Sequence, residues 1–308
     1  MRNFRATIIQ GKSVSSRTQS ARSTINYQLS TINYYMSQHS EAELEILLDI
    51  ATEAVMSAGA ILENYWGKIH NYEEKGRAGD IVTVADKAAE EEILKILGRH
   101  VPNHDILAEE SGNLGGNGST YLWAIDPLDG TTNFAHGYPM AAVSVGLLIE
   151  GVPTIGVVYN PFRRELFRGA KGLGATLNKN PIAVSATASL ERSLLVTGFA
   201  YDRRETKDNN YAEFCYLTHQ TQGVRRSGSA ALDLTDVAMG RLDGYWERGI
   251  QLWDIAAGIV LVQEAGGKVT AYDGEAIALE EGRILATNGK IHSSLSQALQ
   301  QAPALSQW

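Results

Sequence analysis

Two acids three residues apart, held between an apolar run and a glycine, are the feature of this sequence that points most directly to chemistry. The segment reads Trp123-Ala-Ile-Asp126-Pro-Leu-Asp129-Gly-Thr131-Thr132-Asn133-Phe134. The apolar run 121–125 predicts a strand that delivers Asp126. Pro127 stiffens the turn toward Asp129 and lacks an N–H, Gly130 permits a tight bend, and Thr131-Thr132-Asn133 can open a helix. Carboxylates at a strand end suit hard cations, which take oxygen ligands, and the first free N–H groups of a helix favour an anion. A cation and a phosphate-like group are thus invited to one spot. Asp, Pro and Gly are also common turn formers, so this segment by itself fits a surface turn as well.

Two further acidic positions have the same character. Glu109-Glu110-Ser111-Gly112 follows the short apolar strand predicted at Ile106-Leu-Ala108, and Trp253-Asp254 stands at the start of a predicted helix. If Glu109, Asp126, Asp129 and Asp254 converge, each pair at about 4 Å repels by ~4 kcal/mol at an effective dielectric near 20. Divalent cations relieve that repulsion. Magnesium fits best, because none of the seven histidines forms a zinc-type pair and the lone Cys215 excludes a cysteine cluster. Metal ions held by carboxylates can activate water against a phosphate monoester with no covalent intermediate. A glycosidase pair at Asp126 and Asp129 would need carboxyls ~5–9.5 Å apart without metals, and it leaves Glu109 and Asp254 idle. Cys215, between Phe214 and Tyr216 on a predicted helix, is read as core packing rather than a nucleophile.

With these pieces in place, the chain resembles the inositol monophosphatase family of magnesium-dependent, lithium-sensitive phosphatases over about residues 41–300. The matching stretches are Gly79-Asp-Ile-Val-Thr-Val-Ala-Asp86, Leu107-Ala-Glu-Glu-Ser111, Asp126-Pro-Leu-Asp-Gly-Thr-Thr-Asn-Phe134, Trp253-Asp-Ile-Ala-Ala-Gly258 and Glu264-Ala-Gly-Gly267. The resemblance implies two or three Mg2+ ions. Glu109, Asp126 and the carbonyl of Leu128 match ligands of the first ion, and Asp126, Asp129 and Asp254 match ligands of the second. A third, weaker ion lies near Glu109. Asp86 and Thr131 match the pair that orients the attacking water. Gly130 and Thr131 match the phosphate-binding backbone, and Lys75 matches a lysine close to the anionic substrate. Ser229, Ala230 and Glu247 match positions that touch substrate hydroxyls. The implied substrate is a small phosphorylated polyol, inositol 1-phosphate first, and the implied assembly is a homodimer.

Departures from the family pattern keep other readings open. Gly228-Ser229-Ala230-Ala231 replaces the Gly-Thr-Ala-Ala of the best-known inositol phosphatases, which retains a hydroxyl. Gln251 stands where a histidine is frequent. Relatives that hydrolyse fructose 1,6-bisphosphate or histidinol phosphate, and a non-catalytic regulatory or interaction protein on the same fold, are the alternatives. Glu247, seven residues before Asp254, favours the inositol type. Its other reading is an ion pair with Arg248.

These residues need a scaffold, and hydrophobic periodicity supplies one. Leu44, Leu47, Leu48, Ala51, Val55, Ala58 and Leu62 recur at helical spacing, with Ser40 as cap. The sequence predicts a strand over 80–86, a helix over 88–97, and strands over 142–149 and 154–159. It predicts a Gly-rich turn region over 169–180, a strand over 194–197, a helix over 229–239 and a strand over 242–247. A helix over 255–265 and strands over 268–270 and 283–286 follow. Strands and helices recur through both halves, which predicts α/β (α+β) layers of alternating helix and sheet; the resemblance implies the sandwich of inositol monophosphatase and fructose-1,6-bisphosphatase. A boundary is expected near 182, between an N-terminal metal-binding part (41–182) and a C-terminal part (183–308) that completes the site.

Charge and composition set the limits. The chain has 308 residues and a net charge of −8, and its first 40 residues hold Arg2, Arg5, Lys12, Arg17 and Arg22 with no acid, so the remainder carries −13. An acidic body argues against non-specific nucleic-acid binding, and no apolar run reaches the ~18 residues of a membrane span. One cysteine fits a reducing compartment, and the expected location is the cytoplasm. Residues 1–40 contain the repeat Ser23-Thr-Ile-Asn-Tyr-Gln-Leu29 and Ser30-Thr-Ile-Asn-Tyr-Tyr-Met36. They read as a leader that is either translated upstream sequence, with Met36 the true start, or a plastid transit peptide. The glycosylation sequon at Asn117 has no secretory signal before it.

Overall fold

The Asp126–Asp129 segment ends an interior strand of an eight-stranded sheet, and the surrounding architecture brings three other parts of the chain to that end. The computed structural model describes residues 39–305 apart from His70, Ala78 and Asn117. The leader, its repeat and the Asn117 sequon lie outside the described residues. The chain divides into Met1–Leu44 and Glu45–Trp308, and both large sheets belong to the second unit.

The elements run helix α1 (Glu41–Tyr65), the paired short strands β1 (Glu73–Glu74) and β2 (Ile81–Val82), helix α2 (Val84–His100), strands β3 (Asp105–Ala108), β4 (Gly112–Asn113) and β5 (Tyr121–Asp129), and a five-residue helix α3 (Thr131–Ala135). Strands β6 (Ala142–Ile149), β7 (Val152–Asn160), β8 (Glu165–Ala170), β9 (Gly174–Leu177) and β10 (Asn180–Pro181) follow. Then come β11 (Leu194–Thr197), α4 (Tyr211–Thr218), β12 (Gly223–Arg225), α5 (Ala230–Ala238), β13 (Gly244–Arg248), α6 (Leu252–Glu264), β14 (Lys268–Thr270), β15 (Arg283–Thr287) and α7 (His292–Gln301). The first large sheet has the order β10-β9-β8-β7-β6-β5-β3-β4, antiparallel except for the parallel pair β3–β5. The second has the order β12-β11-β13-β15-β14.

Side-chain alternation explains the layers, since neighbours along a strand face opposite sides. In the five-stranded sheet Val196, Tyr245 and Ile284 pack toward α5 and α6, while Leu195, Trp246 and Leu285 pack toward Leu217 of α4 and Leu295 and Leu299 of α7. Helix α6 reaches the eight-stranded sheet because two strands offer glycine beneath it. A Cβ on Gly156 would lie 2.2 Å from the carbonyl oxygen of Ala257, and one on Gly146 would lie 2.7 Å from the Ala256 Cβ. Tyr159, three residues beyond Gly156 and so on the other face, packs on Gly59 of α1. The layers are thus α1 with α2, the eight-stranded sheet, α5 with α6, the five-stranded sheet, and α4 with α7, which is the helix and sheet alternation the sequence predicts.

Three local expectations are corrected. The strand predicted over 80–86 is strand only at Ile81–Val82, and helix α2 begins at Val84. Thr83 caps that helix: its Oγ1 accepts from the Ala85 N–H at 3.1 Å, and Asp86 Oδ2 accepts from the Thr83 N–H at 2.9 Å. This reciprocal capping box outweighs the apolar alternation. The Gly-rich stretch 169–180 holds the end of β8, all of β9 and the start of β10, joined by tight turns. Cys215 is exposed rather than packed in the core, because α4 is short and Leu217 is its buried residue.

Candidate active site

Two carboxylates three residues apart on a regular strand point to opposite faces. Strand β5 escapes this by a bulge: Asp126 pairs with Ser144 and Asp129 with Ala142, so one extra residue is inserted between them. Pro127, which cannot donate to a ladder, occupies the irregularity, where proline is tolerated. The sequence reading of a turn at Pro127 is therefore corrected to a bulge within a continuing strand. Asp126 and Asp129 are both buried, whereas Glu109, just beyond β3, and Asp254, in the first turn of α6, keep some exposure.

Each acid is held by a defined donor. Asp126 Oδ1 accepts from the Leu128 N–H at 2.9 Å. Asp129 Oδ2 accepts from Ser229 Oγ at 2.6 Å and from the Ala231 N–H at 2.7 Å. Asp254 Oδ2 accepts from the Gln251 N–H at 2.8 Å, and Glu109 Oε1 accepts from Lys75 Nζ at 2.9 Å. Lys75 also bonds Glu110. Asp86 spans two elements: its Oδ2 accepts from Thr83, and its Oδ1 accepts from Thr131 Oγ1 at 2.9 Å. The Thr131 hydroxyl lies equally near the Leu128 carbonyl, at 3.0 Å. Gly130 joins β5 to α3 at φ 92°, and a Cβ there would lie 2.7 Å from the Met140 carbonyl oxygen, so glycine is required on both counts.

Electrostatics mark these acids as a single group. Asp126 and Asp254 titrate well above the usual carboxylate range because they are desolvated and because Glu109 and Asp129 lie nearby. Burial pushes Asp129 up to about 6, with Ser229 and the Ala231 amide pulling it back. Burial likewise pushes Asp86 up to about 6 against its Thr83 and Thr131 hydrogen bonds. Glu109 is raised by burial, opposed by Lys75, and it shares a hydrogen bond with Asp126. Burial by itself would lower Lys75, but Glu109 and Glu110 hold its ammonium protonated. Among the described residues no three such side chains already enclose one point as a metal cage. Bare carboxylates repel, and here they turn to hydrogen-bond donors instead. An all-oxygen, all-anionic donor set fits a hard divalent ion.

The opposite rim comes from the five-stranded sheet. Glu247 on β13 is buried and accepts from the Tyr245 hydroxyl at 2.8 Å. Burial pushes it up to about 7, while Tyr245 and Arg226 lower it. The ion pair with Arg248 is not formed, because Arg248 pairs with Asp202 at 2.7 Å and 2.8 Å and lies 3.6 Å from Asp208.

Each of the predicted site residues therefore has a position among the described residues. Ser229 is buried and bonded to Asp129, and Ala230 opens α5 beside the same carboxylate. Sequence reasoning missed Gly198 and Tyr201. A Cβ on Gly198 would lie 2.1 Å from Glu247 Oε2, so glycine makes the Glu247 slot. The Tyr201 phenol is raised by desolvation and then by the charges of Asp80, Glu109, Asp254 and Asp129. Nearly half of that residue stays exposed. Neither position belongs to a motif; Gly198 directly after a predicted strand was the one usable signal.

Comparison with known proteins shows what the whole chain is similar to. The inositol monophosphatase family profile matches residues 43–304. The inositol-1-monophosphatase of Synechocystis sp. is 67% identical over 269 residues, covering 87% of this chain and 93% of that protein. The protein named Nus factor SuhB of Pseudomonas aeruginosa is 43% identical, covering 83% of this chain and 97% of its own length. The solved structure of inositol monophosphatase from Anabaena (Nostoc) sp. superposes with a TM-score of 0.80 at 64% identity, covering 86% of this chain and 100% of that one.

Proposed function

The chain belongs to the inositol monophosphatase family, and from that premise we propose that it hydrolyses inositol 1-phosphate to inositol and phosphate, using Mg2+. It is a phosphatase of a metal-dependent family. The observation that carries the reading is the meeting of Glu109, Asp126, Asp129 and Asp254 in one electrostatic group beside the Asp86–Thr131 hydrogen bond. Glu109, Asp126 and Asp129 with Asp254 would hold two Mg2+ ions, with the Leu128 carbonyl assisting and a third ion near Glu109. When bound, such ions supply charge to the phosphate and to the attacking water.

The protein's own groups do the rest. Thr131 Oγ1, anchored on Asp86 Oδ1, orients the water for in-line attack on phosphorus. A proton leaves that water toward the Thr131–Asp86 pair, whose buried carboxylate can accept it. As the new P–O bond forms, the bond from phosphorus to the ring oxygen breaks and its electron pair goes to that oxygen; a solvent water protonates it and the proton held at Asp86 returns to solvent, so the sum is ester plus water giving alcohol plus phosphate. Gly130 and Thr131 contact the phosphate, and Lys75 keeps the mouth attractive to an anion despite the acids. Glu247 accepts hydrogen bonds from ring hydroxyls of the leaving polyol. The family likeness supports inhibition by lithium and a homodimer, and the single cysteine supports the cytoplasm.

A phosphate-release panel with Mg2+ tests the assignment over inositol 1-phosphate, fructose 1,6-bisphosphate, histidinol phosphate and adenosine 3′,5′-bisphosphate. The highest kcat/KM is expected on inositol 1-phosphate. A preference for another member of the panel overturns the substrate, and turnover that survives exhaustive chelation overturns the mechanism.

A further inference from the structure

Behind Asp129 lies a second buried acid that the hydrolysis does not use. Asp233, in the first turn of α5, is 2% exposed, and among the described residues it has no ion-pair partner. It accepts from the Ser227 hydroxyl, and its N–H bonds the Ser229 carbonyl at 3.0 Å. Burying a carboxylate without a cation is costly, and three acids, Glu247, Asp129 and Asp236, add their charge around it. A surface-type residue kept in such a place has work to do in the local geometry.

That geometry is the turn 227–229. The Ser227–Asp233 bond ties the turn to the first turn of α5. From the other side Asn133 Nδ2, on α3, donates to the carbonyls of Met140 at 2.7 Å, Ser227 at 2.8 Å and Gly228 at 3.3 Å. Gly228 is held at φ 88°, and a Cβ there would lie 3.0 Å from Asn133 Nδ2. The turn ends at Ser229, the N-cap of α5, whose hydroxyl lies 2.6 Å from Asp129 Oδ2. The Ala231 N–H meets the same oxygen at 2.7 Å.

We propose that Asp233 and Asn133 are positioning residues of the hydrolysis: they lock the Ser227–Ser229 turn so that Ser229 and Ala231 grip Asp129 Oδ2, and the affinity of the site for its cation depends on that grip. The inference rests on the reading of the carboxylate group as a cation site. Loss of groups that orient a metal ligand in this way typically costs 10–100-fold in metal affinity or activity.

The test is a calorimetric titration of the metal-free full chain with Mg2+ alone, with thermal melting of each variant alongside. Ser227→Ala is expected to weaken Mg2+ binding by about tenfold, whereas Asp233→Asn, which keeps the shape and an acceptor oxygen for Ser227, stays within about threefold. If Ser227 acts through Ser229, the double variant Ser227→Ala/Ser229→Ala binds no more weakly than Ser229→Ala alone. Wild-type affinity in folded Ser227→Ala, or additive losses in the double variant, overturns the inference. Should Ser227→Ala fail to fold, Asn133→Ala takes its place in the same cycle, and unchanged affinity or additive losses there overturn the inference in the same way. Wild-type protein that binds no Mg2+ overturns the cation site itself, which is a separate outcome from unchanged variants on a binding wild type.

Discussion

At the eight-stranded sheet, Glu109 directly follows β3, Asp126 lies on its parallel neighbour β5, and Asp129 follows across a bulge; at the five-stranded sheet, Glu247 comes singly from β13 and faces a glycine. The first region concentrates like charges and needs a partner to neutralise them. The second buries one carboxylate against a hydroxyl, Tyr245, with no metal required. The difference separates two tasks. In the function proposed above, chemistry common to many phosphate esters belongs to the charged end, and choice among leaving groups to the Glu247 end. Helix α6 holds the two together, because Gly146 and Gly156 let it lie flush on the first sheet while its other side packs with the second.

Breaking the charged end is expected to have the largest effect. Asp129→Asn keeps the volume but removes a charge, and should lower kcat/KM by about 10³-fold, ~4 kcal/mol, on every substrate alike. Phosphate release at saturating Mg2+ measures it. A loss confined to inositol 1-phosphate would place Asp129 at the wrong end of the comparison.

Thr131→Ala should come next, with kcat reduced about 10²-fold and KM little changed, since the hydroxyl acts on the water in the transition state. A change in KM alone would turn Thr131 into a ground-state contact.

Glu247→Gln sharpens the contrast. It should lower kcat/KM for inositol 1-phosphate by about tenfold, ~1.4 kcal/mol, and hardly affect glycerol 2-phosphate, which offers fewer hydroxyls. Equal losses on both substrates would erase the distinction between the two regions.

The last expected effect is on stability rather than turnover, in the second region. His292 at the start of α7 bridges Thr270 on β14 and Thr287 on β15, at 2.9 Å each. Burial lowers its pKa from 6.5 to about 4. Between those pH values the unfolded chain binds the extra proton, so this group makes stability fall as pH drops from 6.5 to 4, with a limiting slope of ~1.4 kcal/mol per pH unit. The raised acids Glu247, Asp86 and Asp129 act with the opposite sign in metal-free protein. The difference between wild type and His292→Gln in urea titrations across this range isolates the histidine. Identical pH profiles would show that His292 titrates normally.

Much of the site was legible in the chain because ligand chemistry depends on residue type. Asp126, Asp129, Asp254 and Glu109 stand at the ends of apolar runs whose periodicity survives in the fold, so strands β3 and β5 and helix α6 could be drawn before their contacts were known. Errors arose where short-range bonds compete with pattern. Thr83 and Asp86 cap a helix inside an alternating stretch, and Pro127 sits in a bulge where a turn was the simpler reading.

The sequence by itself determined the donor types, the apolar faces of the major helices and strands, and the need for a cation wherever four acids meet, since these follow from composition and spacing along the chain. Tertiary structure decided how each group is used. Ser229 reaches Asp129 from 100 residues away, a bond that no local pattern announces. Arg248 is drawn off by Asp202, 46 residues distant, which leaves Glu247 to Tyr245. The physical reason is that a hydrogen bond is directional and short: which of several chemically suitable partners receives it depends on how the layers pack, and no local pattern in the chain records that choice.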